Sequence, residues 1–215
     1  SALIEAPDLV IKTHRKFIDA GSDIITTNNY TCVPYVLKQK NILDQFEFLS
    51  KKAGELARKS AECYRQKKIK VAGCIPPLHL TYRSDLANKE YASETYSTII
   101  NCLEPYVDLF LAESISSRIH FDTILSTLDS IKKPMYLSFL VDDNNPNQLL
   151  DSTPLSSLIC DLNHSRVGAI LLNCCQPQTV SHALLNFNNL SCEFGAYANT
   201  FKKLTKQFEN GDLRT

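Results

Sequence analysis

The sequence predicts an α/β fold built on parallel strands, and three observations carry that prediction. Short aliphatic runs alternate along the chain with amphipathic stretches. Several runs are continuously apolar, as strands buried on both faces are. They end in small polar or sulfur-bearing residues, and strand carboxyl ends are where parallel α/β folds gather their chemistry.

The elements follow in order. The first helix has Pro7 near its start and Gly21 just past its end, the asymmetry expected of helix termini. The six strand runs are Asp23–Thr27, Ile69–Ile75, Val107–Ala112, Met135–Val141, Val167–Asn173 and Glu193–Tyr197. Between the first two, Leu49, Ala53, Leu56, Ala57, Ser60 and Tyr64 form one helical stripe, with Lys51, Lys52, Glu55, Arg58, Lys59 and Glu62 on the outer face. Ile124, Leu128 and Ile131 mark another helix, and Leu155, Leu158, Ile159 and Leu162 a short one. Asp142–Gln148 is the most polar loop, either a solvated turn or, in a barrel, a segment over the active-site face. Strands joined by helices imply parallel pairing with right-handed crossovers. The pattern leaves two architectures, an open doubly wound sheet or an eight-stranded barrel short of two strands.

Composition narrows the function. At 215 residues the chain is long enough for a single domain over 1–215. Lysine plus arginine equal aspartate plus glutamate at 23 each, which argues against a nucleic-acid or anionic-membrane surface. No apolar stretch approaches the roughly 20 residues that span a bilayer, and no basic, apolar, small-residue signal-peptide pattern occurs in these residues. The eight cysteines contain no CxxC pair, and several sit in apolar runs. Reduced thiols of a cytoplasmic protein are therefore expected. With six glycines and neither a P-loop nor a GxGxxG, nucleotide cradling by a glycine-rich turn is not expected. The chain opens at Ser1 without a methionine, as an excised or incomplete piece would.

The strand ends hold the candidate site residues. The first run ends Thr26-Thr27-Asn28-Asn29-Tyr30, small polar groups suited to an amino acid's amino and carboxyl groups, or to capping the next helix. Gly73-Cys74-Ile75-Pro76-Pro77 ends the second, with Tyr82-Arg83-Ser84-Asp85 just beyond. The third ends Ala112-Glu113-Ser114, and a glutamate after Leu-Phe-Leu-Ala needs a partner, either a substrate ammonium or a structural cation. Ser138 and Asp142 follow on the fourth. The fifth delivers Asn173-Cys174-Cys175, and the sixth Tyr197-Ala198-Asn199. A thiolate at such an end is a soft ligand for zinc, although free cysteine is also among the most buried residue types. The five histidines have no metal-ligand spacing, and no nucleophile–histidine–acid arrangement stands out.

This ordered series resembles the homocysteine S-methyltransferase family. The likeness lies in Ser1–Val10, His14, Ala20–Tyr30, Val71–Pro77 with Tyr82–Leu86, Val107–Ser114, Leu172–Pro177 and Tyr197–Asn199. It implies a TIM-type (β/α)8 barrel, incomplete over these residues with about six βα units visible. It also implies zinc held by three cysteines, with the homocysteine thiolate as fourth ligand. Cys174 falls on the family's first zinc cysteine, Glu113 on the glutamate that holds the substrate amino group, and Asn199 on an asparagine near the metal. Thr27 and Asn28 fall where the family lines the amino-acid pocket. The family opens with a strand ending Asp-Gly-Gly and closes with a Gly-Gly-Cys-Cys stretch, so two zinc cysteines are expected beyond Thr215. Cys175 is the weaker alternative, because neighbouring side chains on a strand point to opposite faces. Ala198 stands where the family often has proline, and Thr200 replaces a small residue.

The expected function is zinc-dependent methyl transfer to the thiol of homocysteine, giving methionine, with a donor of the S-methylmethionine, S-adenosylmethionine or betaine type. No nucleic-acid or membrane partner is expected, and a homo-oligomer is one option the sequence leaves open. One rival is a zinc-less family member that serves as a non-catalytic binding or structural protein. Another is an unrelated α/β-barrel enzyme acting on a small phosphorylated or keto substrate.

Overall fold

The computed structural model describes residues 1–86, 89–187, 190 and 192–199. Thr200 and the cysteines expected past Thr215 lie outside the described residues. The chain forms two compact units, one of Ser1–Pro76 with Glu94–Leu111, the other of Pro77–Ser93 with Ala112 onward.

In the first unit, α1 (Ala2–Glu5) leads into α2 (Pro7–Asp19), which buries Val10, Ile11, His14 and Ile18 at helical spacing. Pro7 takes a first-turn position where its missing N–H costs nothing, and Gly21 adopts a φ of 115° past the helix end. Next come β1 (Ile24–Thr26), α3 (Pro34–Gln39), α4 (Phe46–Ala61) and β2 (Lys70–Ile75). α4 packs on α2 through Leu49, Ala53 and Leu56 against Val10 and Ile11, with Leu3 and Leu37 in the same cluster. Tyr64 lies beyond α4 and donates its hydroxyl to Asp19 at 2.7 Å. α5 (Lys89–Leu103) contributes its later turns.

β1 and β2 pair in parallel, with Ile24 opposite Lys70 and Thr26 opposite Ala72, and β2 continues to β3 (Leu109–Ile115). The third run was expected to span Val107–Ala112; the strand instead starts two residues later and continues to Ile115. Asp108 explains the later start. Its N–H donates to Val71 O at 2.8 Å, and its carboxylate accepts the Val71 N–H at 2.7 Å and the Arg58 guanidinium at 2.8 Å. The side chain thus replaces a ladder carbonyl. Because Val71 is fully buried, Asp108→Ala is expected to leave that N–H unpaired and lower stability by about 1–3 kcal/mol. Urea unfolding checks this, and an unchanged midpoint would assign the N–H another partner.

The second unit takes the rest of β3, then α6 (Arg118–Leu125), β4 (Met135–Phe139), β5 (Val141–Asp142), β6 (Asn145–Leu149), β7 (Val167–Asn173), α7 (Pro177–Ala183) and β8 (Glu193–Tyr197). Its strand order is β3-β4-β7-β8, and the β4/β7 and β7/β8 pairs are parallel. Phe139 stacks on Phe187 at 6.1 Å between ring centroids and meets Phe121 at 5.7 Å.

Three readings of the sequence change here. The Ile124–Ile131 helix stops at Leu125, and the Leu155–Leu162 segment forms two 3-10 turns. Ser126, Thr127 and Ser157 donate their hydroxyls to carbonyls three residues back, at 2.7 Å each, and such local bonds compete with regular helix. The polar 142–148 segment is an antiparallel β5/β6 hairpin. Asp142 accepts the Asn144 N–H at 2.9 Å, an Asx turn that reverses the chain.

Candidate functional site

Cys174 follows the last residue of β7 and has a φ of 59°; Ser114, near the end of β3, has a φ of 56°. Left-handed backbone at a non-glycine residue costs of order 1–3 kcal/mol and persists where surrounding bonds over-determine it. At Cys174 those bonds are explicit. Its N–H donates to Tyr197 O at 3.1 Å, and its carbonyl accepts Asn199 Nδ2 at 2.7 Å and the Tyr82 hydroxyl at 3.3 Å. Asn199 N–H closes the turn on Cys175 O at 2.8 Å.

Asn173 ties three strands together. Its Nδ2 donates to Ser114 Oγ at 2.8 Å and to Cys174 Sγ at 3.2 Å, while its Oδ1 accepts Ser138 Oγ at 2.8 Å. All three partners on the ladder, Ser114, Ser138 and Asn173, are buried, so the amide satisfies groups that would otherwise be costly to desolvate. Ser114 and Tyr82 also hydrogen-bond the Cys174 sulfur. Burial raises the Cys174 thiol above its ordinary pKa against these donors, and the nearby Glu113 carboxylate adds to the rise. Burial likewise pushes the Tyr82 phenol up to about 12.

Glu113 was expected just past its strand. It lies inside β3, half-buried, on the face it shares with Leu111, and within electrostatic reach of Cys174. Cys175 has a different setting. It is fully buried, accepts a hydrogen bond from the Val141 N–H, and burial with the neighbouring Asp143 charge pushes its thiol up to about 12. Asp143 meanwhile accepts the Gln176 N–H at 2.8 Å and the Thr179 hydroxyl at 2.7 Å, which secures the turn into α7.

Thr27 and Asn28 belong to the first unit. The Thr27 hydroxyl accepts the Cys74 N–H at 2.9 Å and donates to Asn29 Oδ1 at 2.7 Å, and Asn29 Nδ2 donates to Cys74 O at 3.0 Å. These buried groups join the exit of β1 to the end of β2. Asn28 is exposed and borders a cavity with Ser1, Thr31, Cys32 and Lys40.

The structure therefore brings Glu113, Cys174 and Asn199 together in the second unit, with Ser114, Asn173, Ser138 and Tyr82 around them. Ser138 carried a signal in sequence, a serine closing a buried run. Tyr82 carried little, because it reaches Cys174 from 92 positions away. Among the described residues no three His, Cys, Asp or Glu side chains converge to hold a metal ion. Cys174 places a half-buried thiol just past the end of β7.

Parallel strands alternating with helices, with polar and sulfur groups gathered at their carboxyl ends, define an incomplete TIM-type (β/α)8 barrel of the α/β class. Solved structures with this fold include the homocysteine methyltransferase MmuM from Escherichia coli. Its metallated form matches with a TM-score of 0.81 and 21% identity, covering 93% of this chain and 83% of that one. Its apo form matches with a TM-score of 0.74 at 20% identity, covering 93% and 84%. The homocysteine S-methyltransferase family model matches residues 1–214, and the chain belongs to that family. Similar curated proteins include homocysteine S-methyltransferase 1 of Arabidopsis thaliana, 22% identical over 88% of this chain, and homocysteine S-methyltransferase 2 of Zea mays, 23% identical over 88%. The chain spans 65% of the first and 62% of the second.

Proposed function

We propose that this chain serves transfer of a methyl group to the thiol of homocysteine, giving methionine, from a small sulfonium or ammonium donor. The observation that carries the reading is a strand-end cysteine thiol that three donors surround, with the Glu113 carboxylate within electrostatic reach. Glu113 accepts a charge-assisted hydrogen bond from the substrate ammonium and so orients the amino acid. In the first unit Asn28 is exposed past β1, while the Thr27 hydroxyl is engaged in joining β1 to β2. Asn199 belongs to the reading through its bond to Cys174 O.

Zinc, when bound, supplies the lowering of the substrate thiol's pKa that makes thiolate available at neutral pH. Cys174 would be one of its ligands, and the other two cysteines would come from outside the described residues. The free thiols at Cys32, Cys63, Cys74, Cys102, Cys174, Cys175 and Cys192 suit a reducing compartment, which supports the cytoplasm as location. Among the described residues no helix is long and apolar enough to cross a membrane.

The test is direct. Full-length protein incubated with homocysteine and, in turn, S-methylmethionine, S-adenosylmethionine and betaine should form methionine with at least one donor. Methionine from none of the three overturns the reading. In the same protein, Cys174→Ala should reduce bound zinc from about one per chain to well below that. Zinc retained at the parent level would remove Cys174 from the metal site.

A further inference from the structure

We propose that Tyr82 and Asn199 act as one clamp on the carbonyl oxygen of Cys174, and that this clamp, more than the strand itself, sets the direction of the Cys174 thiol. The inference goes beyond the methyl-transfer reading and holds or fails independently of it, because it concerns the thiol's placement.

Three contacts form the clamp. Asn199 Nδ2 donates to Cys174 O at 2.7 Å, Tyr82 Oη donates to the same oxygen at 3.3 Å, and Asn199 Nδ2 lies 3.5 Å from Tyr82 Oη. A carbonyl has two lone pairs and accepts both donors. The residue whose carbonyl they hold has a φ of 59°, and its own N–H is already given to Tyr197 O. With φ in this region, the Cα–Cβ bond leaves the backbone in a direction that a strand conformation does not offer. Sγ there meets Asn173 Nδ2 at 3.2 Å. Release of the carbonyl removes what offsets the strained backbone, and residue 174 then relaxes toward extended geometry. The thiol would swing away from Asn173 and Ser114.

Tyr82 is thus a positioning residue that reaches Cys174 both through its carbonyl and through the sulfur itself, whereas Asn199 bonds the carbonyl. Nothing in its local sequence demands this. A tyrosine that is half-buried with its hydroxyl turned to a strand end needs an acceptor, and the Cys174 carbonyl supplies it.

The experiment uses metal-free full-length protein carrying Tyr82→Phe, Asn199→Asp or both. Each change removes the clamping donor with little change in side-chain volume. Site-resolved alkylation by iodoacetamide, read by peptide mass spectrometry, reports Cys174 with exposed Cys63 and buried Cys175 as internal references. Each single variant should change the Cys174 labelling rate at least threefold, with Cys63 and Cys175 within twofold of the parent. The double variant should resemble the stronger single one, since both donors serve one oxygen. General loosening would move Cys175 as well, and that outcome overturns the clamp, as does a parental Cys174 rate in Asn199→Asp, because Tyr82→Phe also removes the bond to the sulfur. If Tyr82→Phe fails to fold, Asn199→Asp alone decides by the same criterion. Absence of methyl transfer in the parent would leave the labelling result standing.

Discussion

Glu113→Gln in the full-length protein is expected to lower kcat/KM for homocysteine roughly ten- to over a hundredfold, with melting temperature and zinc content near those of the parent. The magnitude follows from a charge-assisted hydrogen bond to the substrate ammonium, about 1.5–3 kcal/mol, at about 1.4 kcal/mol per tenfold. Glutamine keeps the shape and one carbonyl acceptor, so the loss isolates the charge. The position of Glu113 favours a substrate role. It is half-buried within β3, on the face of Leu111, and within electrostatic reach of Cys174. A structural ion pair predicts something else, since removing one member of a buried pair costs about 3–5 kcal/mol of stability. Kinetics and thermal unfolding of the same variant separate the two. Parental kinetics with a sharply lowered melting temperature would remove Glu113 from substrate binding.

Acid is expected to destabilise the second unit by about 3 kcal/mol between pH 6.5 and pH 4 through His120 alone, at about 1.36 kcal/mol per pKa unit. His120 is buried in α6, 8% exposed, with its N–H accepted by the Ser117 hydroxyl that caps the helix. Burial pushes its imidazole down to about 4, with the neighbouring His79 charge acting in the same direction. The unfolded chain takes up the proton near pH 6.5, while the folded chain refuses it until about pH 4. The contribution is therefore fully present above pH 6.5 and is lost progressively as pH falls toward 4. His14, in the first unit and also lowered by burial, gives that unit an acid sensitivity of the same sign. Urea unfolding at pH 7.0, 5.5 and 4.5 measures the slope, and His120→Gln should flatten it relative to the parent. Carboxylates titrate in both proteins, so the difference between them belongs to the histidine. Equal slopes would show that His120 is protonated in the fold.

What could be read ahead of the structure divides along the range of the interactions. The stripe from Leu49 to Ser60 and the runs at Ile69, Val167 and Glu193 are local periodicities, and each became the expected element, while the Met135–Val141 run ends as β4 at Phe139 and Val141 opens the β5/β6 hairpin. The third strand was misplaced because Asp108 engages Val71, 37 positions away, and no window on the sequence contains both. The polar 142–148 segment was legible as a reversal of the chain but not as a hairpin, whose second strand is made of polar residues. Cys174, Glu113 and Asn199 were identified as separate strand-end residues; their meeting was an expectation from resemblance.

By itself, then, the sequence determined the α/β class, the strand–helix alternation and the residue types at the strand ends. These depend on the hydrophobic period and on turn chemistry, which act within a few residues. Tertiary structure alone decided the left-handed backbone at Ser114 and Cys174, the Asn173 tie across three strands, and the Tyr82–Asn199 hold on the Cys174 carbonyl. Each of these sets a strained or desolvated group against a hydrogen bond from a distant part of the chain. Only a folded backbone brings such partners within 3 Å or so, at hydrogen-bonding distance.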